Sequence, residues 1–183
     1  MTPAVWSFEP ADGELLVRTG VAGRAARLGH RLTIAMTRWH ATVRWSGADP
    51  VAVELTVEAD SFEVVRGEGG VKGLSGPEKT VIRANALKSL QASRFPTISF
   101  AADVIDKTDE GYRLGGRLEV CGKTHEHVID LRTEDLGDTW RMSVESGVRQ
   151  SAYGIKPYSI LMGSVQVADD VTVSFTAIHA KDG

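Results

Sequence analysis

The stretch RANALKSLQASRFPTISF, residues 83–100, changes its apolar period at the proline in its middle. Ile82, Ala86 and Leu90 lie at i, i+4 and i+8, which is the spacing of one apolar helical face. After the proline the period becomes two, as is typical of a half-buried strand. Since the other apolar patterns of the chain are those of strands, we expect one helix laid across a β structure.

The residues at both ends of this helix predict its bounds and its neighbours. Ser75 and Glu78 match a capping box, so we predict a helix over about residues 76–92. We expect Ile82 and its stripe, widened by Val81 and Leu87, to pack at the side or mouth of the β structure. The strand after Pro96 should place four side chains on one face: Ile98, Phe100, Ala102 and Val104.

Length and charge limit the class of protein. A chain of 183 residues, 42% hydrophobic and 25% charged, fits one globular domain, which we predict to span residues 1–183. The net charge of -3 argues against a nucleic-acid partner, and the lack of an 18-residue apolar run argues against membrane insertion. The first residues lack a signal-peptide pattern and the single Cys121 cannot form an internal disulfide, so we predict a cytoplasmic protein.

Alternating apolar and polar residues predict about eight antiparallel strands, of which residues 51–59 form the clearest. A parity change near Met36 and Thr37 predicts a bulge or bend, and the glycine-rich residues 62–80 predict a loop or lid. Asp169 and Asp170 predict the turn of a last hairpin. Two sets should each share one strand face: His125, His127, Ile129 and Leu131, and then Trp140, Met142, Val144, Ser146 and Val148.

Closing the sheet determines the predicted architecture. Consecutive antiparallel strands avoid exposed edges best by forming a barrel, which at eight strands is filled by side chains or holds one small ligand. A β-sandwich is the alternative. The missing disulfide and the helix inserted in mid-chain favour the barrel.

One cluster of residues has metal-ligand chemistry. Cys121, His125 and His127 supply three potential zinc ligands within seven residues, and the two histidines share a strand face. A metal-assisted hydrolase is therefore an alternative function, against two ordinary histidines on a partly exposed strand. Because a fourth ligand and a nucleophile elbow are missing from the sequence, we predict a non-enzymatic protein without metal or cofactor.

Dispersed aromatic residues and a few polar ones are the candidate ligand-binding residues. The aromatic side chains occur on different strands, so they form a core or line an apolar cavity. Two arginines and a tyrosine lie in or near segments without a strand pattern, where a cavity mouth would have polar contacts. Together with two leucines of the helix, the candidates are Trp39, Trp45, Phe62, Arg83, Leu87, Leu90, Phe95, Phe100, Arg149, Tyr153 and Phe175.

Several segments resemble the YceI-like family in their order and spacing. They are VEADSF at 57–62, RFPTISF at 94–100 after the helix, LGGRLEVCGKT at 114–124, and RQSAYG at 149–154. Gly29 and His30, followed by Leu32, are similar to the family's N-terminal strand motif. The resemblance covers about residues 16–177.

The resemblance implies a lipocalin-like antiparallel barrel with a helix at its side, often as a homodimer. It also implies an interior that holds a long apolar molecule of isoprenoid or other lipid type. An interaction protein whose barrel is filled remains a further alternative. The family's common Arg-Asp pair is Arg83 and Ala84 here, so we expect a ligand contact unlike the family's usual one.

Overall fold

The computed structural model describes residues 4–70 and 72–181. It contains twelve strands and one α-helix, α1 (Gly76–Ser89), besides short 3-10 turns. In chain order the strands are β1 (Val5–Phe8), β2 (Gly13–Ala22), β3 (His30–Met36), β4 (Trp39–Ser46), β5 (Asp49–Glu58), β6 (Phe62–Gly69), β7 (Thr97–Lys107), β8 (Gly111–Val120), β9 (Lys123–Asp135), β10 (Thr139–Arg149), β11 (Ser159–Ile160) and β12 (Val165–Ala180).

All strands belong to one antiparallel sheet that curls around an apolar interior. Its order is β1-β4-β5-β7-β8-β9-β10-β12-β2-β3-β6, with β11 paired to β12. The predicted mainly β, barrel-like class with one helix is therefore confirmed. The predicted number of about eight strands is too low, because β1, β6 and β11 lie outside the predicted strands and the chain bends sharply between β3 and β4.

Two bends divide what would otherwise be long strands. Thr37 and Arg38 join β3 to β4, and the 3-10 turn Ala59–Ser61 joins β5 to β6. The amide of Thr37 donates to the carbonyl of Ser61 at 3.1 Å, and that of Glu58 donates to the carbonyl of Arg38 at 3.0 Å. The parity change seen in the sequence near Thr37 is thus a bend, and these bonds hold the two bends together.

The predicted loop over residues 62–80 is wrong in its first half. Strand β6 occupies Phe62–Gly69 and pairs with β3 from Met36 to His30. Its glycines, which suggested a loop, sit where other groups crowd the backbone: a β-carbon on Gly67 would lie 2.5 Å from Cδ1 of Leu74. Backbone pairing therefore outweighs the local preference of glycine for turns.

Helix α1 begins as predicted and ends earlier than residue 92. The Ser75 hydroxyl accepts from the amide of Glu78 at 3.2 Å, which confirms the N-cap. Ile82, Ala86 and Leu90 pack against the main core, whereas Val81 is exposed and does not widen this face. The helix lies against β6 at the side of the barrel.

Strand β7 contains a bulge that reverses its alternation. Ile98, Phe100 and Ala102 face inward as predicted, and the register with β8 then shifts between Ala102 and Val104. Val104 is 59% exposed, so its predicted inward position is wrong. The extra residue of the bulge brings Ile105 to the inner face instead.

The last predicted hairpin is a single strand. Strand β12 runs through residues 169 and 170, and only its register with β2 shifts there. The hydroxyl and amide of Ser151 donate to the Asp169 carboxylate, and Arg149 forms an ion pair with Asp170. These contacts satisfy both carboxylates beside a continuous strand, so no turn forms.

The core divides into a main cluster and two smaller ones. The main cluster joins β2, β3, β4 and β6 to the face of α1, and includes Ile34, Trp39 and Phe62. A second cluster, Val120, Cys121, Tyr153 and Ile155, closes one end of the curled sheet. Across residues 4–70 and 72–181, no helix is long and apolar enough to cross a membrane.

Candidate ligand-binding cavity

A cavity of about 710 Å³ lies inside the curled sheet. Strict alternation on β8, β9 and β10 sends every second side chain inward, and both shared faces predicted from the sequence line it in large part. The lining is mainly apolar. Its deeper wall includes Leu55, Phe100, Leu114, Leu118, Ile129, Leu131, Met142, Val144, Val148, Val173 and Phe175.

The charged groups that line the cavity gather at one end, which we call the mouth. The end of β7 contributes Lys107 and the turn after it Asp109 and Glu110, and the end of β9 contributes Arg132 and Glu134. The second core cluster closes the opposite end of the sheet. The cavity is therefore polar at the mouth and apolar beyond it.

The rings of Trp6 and Trp45 form part of the cavity wall. The ring of Trp6 stacks on that of His179, with centroids 3.8 Å apart and planes inclined by 14°. Trp6 also packs against Trp45 at 4.7 Å. The Trp45 Nε1 atom is buried and has no hydrogen-bond partner among the described residues, so its N–H is an unsatisfied donor in this wall.

One polar pair interrupts the apolar part of the cavity. Nε2 of His127 lies 2.8 Å from the hydroxyl of Ser146 across β9 and β10. Both side chains line the cavity, and the imidazole meets the ring of Phe100 edge-on at 6.3 Å. Burial lowers the pKa of His127 below its ordinary value of 6.5, because the imidazolium loses hydration.

Three of the predicted ligand-binding residues line the cavity: Trp45, Phe100 and Phe175. Trp39 meets Phe175 edge-on at 5.1 Å from within the main core, and Phe62 belongs to that core as well. Leu87 and Leu90 pack against the same core from the helix. Phe95 and Tyr153 belong to the cluster that closes the far end.

The two predicted arginines have other partners. Arg83 donates to the backbone carbonyls of Phe62 at 2.9 Å and Asp60 at 2.5 Å, so it fastens the helix to the bend between β5 and β6. Arg149 lies 3.3 Å from the Asp170 carboxylate on the outer surface. Neither arginine lines the cavity, and the mouth is built from other elements than α1.

Sequence reasoning missed the contribution of the first strand. Trp6 and Phe8 lie on β1, which pairs with β4, and both line the cavity. The alternation in residues 5–8 was a usable signal for this strand, although four residues are few for a periodicity. The sequence patterns suggest His127 as a metal ligand or an ordinary strand histidine, and do not indicate it as a ligand-binding residue.

The candidate metal ligands of the alternative function, Cys121, His125 and His127, have separate partners. Nε2 of His125 lies 2.6 Å from the carbonyl of Ala152, whereas His127 bonds Ser146. The thiol of Cys121 is buried at the turn and lies 3.3 Å from the carbonyl of Leu90. In the described part of the chain, no three His, Cys, Asp or Glu side chains are placed to hold a metal ion.

Comparison with known families supports the fold and the resemblance. The model of the YceI-like domain matches residues 6–178 of this chain, which is nearly its whole length. The chain belongs to the YceI-like family. A comparison with curated proteins finds no match.

Solved structures are similar to this YceI-like protein in fold. BcnA of Burkholderia cenocepacia has a TM-score of 0.69 at 15% identity, covering 93% of this chain and 98% of its own. The YCEI protein of Campylobacter jejuni has a TM-score of 0.60 at 13% identity, covering 82% of this chain and 85% of its own. At such low identity the likeness shows the fold alone.

Proposed function

We propose that this YceI-like protein binds a long apolar small molecule, of isoprenoid or other lipid type, inside the curled sheet. The proposed function is binding or carriage without catalysis. A single observation carries it: the apolar cavity of about 710 Å³ with a polar mouth.

The size of the cavity favours a ligand over a filled barrel. Ligand sites in proteins commonly have volumes of about 300–1,000 Å³ and are mostly apolar, with few polar groups. A barrel that served only as a scaffold would be packed by its own side chains to the density of an organic crystal. The cavity of this protein fits the first description.

Burial alone supplies enough free energy for such a ligand. Transfer of one methylene from water is worth about 0.8 kcal/mol, so ten methylenes supply about 8 kcal/mol before the cost of association. The buried, unpaired Cys121 agrees with a cytoplasmic site of action, which is part of the proposal.

The test is to fill the cavity without changing the sheet. Ile129 and Val128 are neighbours on β9, with Ile129 lining the cavity and Val128 pointing outward. We expect Ile129→Trp to reduce the uptake of the fluorescent apolar probe N-phenyl-1-naphthylamine at least tenfold. Val128→Trp, the matched control on the opposite face, should bind the probe like the wild-type protein.

Two results would count against the proposal. The first is wild-type protein that takes up neither the probe nor any long-chain competitor. The second is an equal loss of binding in Ile129→Trp and Val128→Trp, since that would place the probe on the outer surface.

A further inference from the structure

We propose that His127 and Ser146 form a recognition site for a neutral, hydrogen-bonding end group of the apolar ligand. Hydroxyl, carbonyl and carboxamide groups are the chemistries that fit. This inference rests on the proposed function. It adds that the cavity selects ligands with such an end group and binds them with that polar end innermost.

The position of the pair indicates recognition deep within the cavity. Thr133 lies near the mouth on β9, and His127 lies six residues before it on the same strand. At about 3.3 Å per residue, the backbone of His127 is roughly 20 Å along the strand from that of Thr133. Its surroundings are apolar, with Leu118, Val144 and Val148 lining the same part of the cavity.

The pair retains hydrogen-bonding capacity for a ligand. Nε2 of His127 is bonded to Ser146, whereas Nδ1 has no hydrogen-bond partner in the described ranges. If Nε2–H donates to the serine oxygen, Nδ1 is an acceptor and the serine O–H can donate. If the serine donates to Nε2 instead, Nδ1–H is the donor and the serine oxygen is the acceptor. Either tautomer therefore offers a ligand one donor and one acceptor.

The charge distribution favours a neutral end group over a carboxylate. The cations that line the cavity, Lys107 and Arg132, both lie at the mouth. A carboxylate beside the pair would lose its hydration and gain no cation, which is costly in an apolar site. Burial also disfavours the imidazolium form of His127, and a neutral imidazole provides no positive charge to pair with a carboxylate.

Residues 83 and 84 of α1 are not placed to provide the polar ligand contact that we assign to His127 and Ser146. Ala84 supplies no polar atom, and Arg83 is occupied by the carbonyls of Phe62 and Asp60. The His127 and Ser146 pair is the polar group that the cavity presents away from its mouth.

The experiment compares 12-carbon competitors that differ only at one end. Dodecane, dodecanol, dodecanamide and dodecanoate displace N-phenyl-1-naphthylamine from wild-type protein and from two variants, His127→Phe and Ser146→Ala. In each variant we expect the alcohol and the amide to bind about 5- to 10-fold more weakly, which corresponds to the loss of one hydrogen bond. Dodecane should bind within twofold of its wild-type affinity.

The matched control variant is His125→Phe. His125→Phe changes a histidine on the same face that bonds Ala152 and does not line the cavity, so its ligand preferences should equal those of the wild type. Equal losses for alkane and alcohol, unchanged alcohol affinity, or a His127-dependent preference for dodecanoate would overturn the inference alone. If neither probe nor competitor binds the wild-type protein, the proposed function and this inference both fail.

Discussion

Gly122 lies directly against the ring of Phe95. A β-carbon at Gly122 would be 2.5 Å from Cε1 of that ring, too close for any side chain. Gly122 has a φ of 76° and follows Cys121 with a φ of 54°, so the two residues form the left-handed turn between β8 and β9. The contact ties this turn to the corner where the chain leaves α1 and enters β7.

Gly122→Ala should therefore destabilise the protein. The left-handed backbone and the displaced ring together should cost about 1–3 kcal/mol. Chemical denaturation of wild type and variant measures the difference in the free energy of unfolding. Gly137→Ala is the control: Gly137 also has a positive φ, of 93°, but a β-carbon there meets nothing within 4 Å. Equal losses in the two variants would show that backbone strain, and not the Phe95 contact, causes the effect.

Arg83 should stabilise the protein without contributing to ligand binding. Its two hydrogen bonds to backbone carbonyls hold α1 to the bend at Asp60 and Phe62. We expect Arg83→Ala to lower the free energy of unfolding by about 1–2 kcal/mol. Lys88→Ala, at an exposed position of the same helix, should change it by less than about 0.5 kcal/mol.

The affinity for N-phenyl-1-naphthylamine shows whether Arg83 only stabilises the fold or also contacts the ligand. Unchanged affinity in folded Arg83→Ala is the expected result. A tenfold loss of affinity in fully folded Arg83→Ala would indicate that Arg83 contacts the ligand and would contradict its placement outside the cavity.

The helix cap makes a smaller contribution to stability. The Ser75 hydroxyl accepts from the amide of Glu78, and its loss should cost about 1 kcal/mol. Urea unfolding of Ser75→Ala measures this cost. Ser75→Asp keeps an acceptor at the N-cap and should remain close to the wild type. A full loss of stability in Ser75→Asp would contradict the capping role.

Stability should fall below pH 6.5 because of His127. Its pKa is lowered in the folded protein, so the unfolded chain takes up the proton at a higher pH. The contribution of neutral His127 to the free energy of unfolding is complete above pH 6.5. It is lost as the pH falls through the lowered pKa of the folded state. When thermal unfolding is measured between pH 8 and 5, the unfolding temperature of His127→Gln should fall less steeply with decreasing pH than that of the wild type. His40→Gln, at an exposed position on β4, is the control; a wild-type slope in His127→Gln would contradict this origin.

Periodicity predicted the fold where the sheet is regular. The inward faces of β8, β9 and β10 follow from strict alternation, and the helix start follows from Ser75. It failed where backbone pairing or side-chain bonding overrides the local pattern. The bulge before Val104, the glycines of β6 and the bonded carboxylates of Asp169 and Asp170 depend on partners distant in the chain.

The candidate site was less predictable than the fold. Alternation indicates that Trp39 and Phe175 both point inward, but it does not indicate which one meets packed neighbours and which one meets empty space. Trp39 is buried in the main core, whereas Phe175 also borders the cavity. The pairing of His127 with Ser146 depends on the register of β9 with β10, which a single sequence does not encode in any local pattern.

Native mass spectrometry of the purified protein, followed by organic extraction and analysis of the extract, tests the central claim most directly. We expect a mass above that of the polypeptide and an extracted apolar molecule with one neutral polar end. Protein that carries the polypeptide mass alone and then fails to take up N-phenyl-1-naphthylamine would contradict the claim that this cavity binds a long apolar ligand.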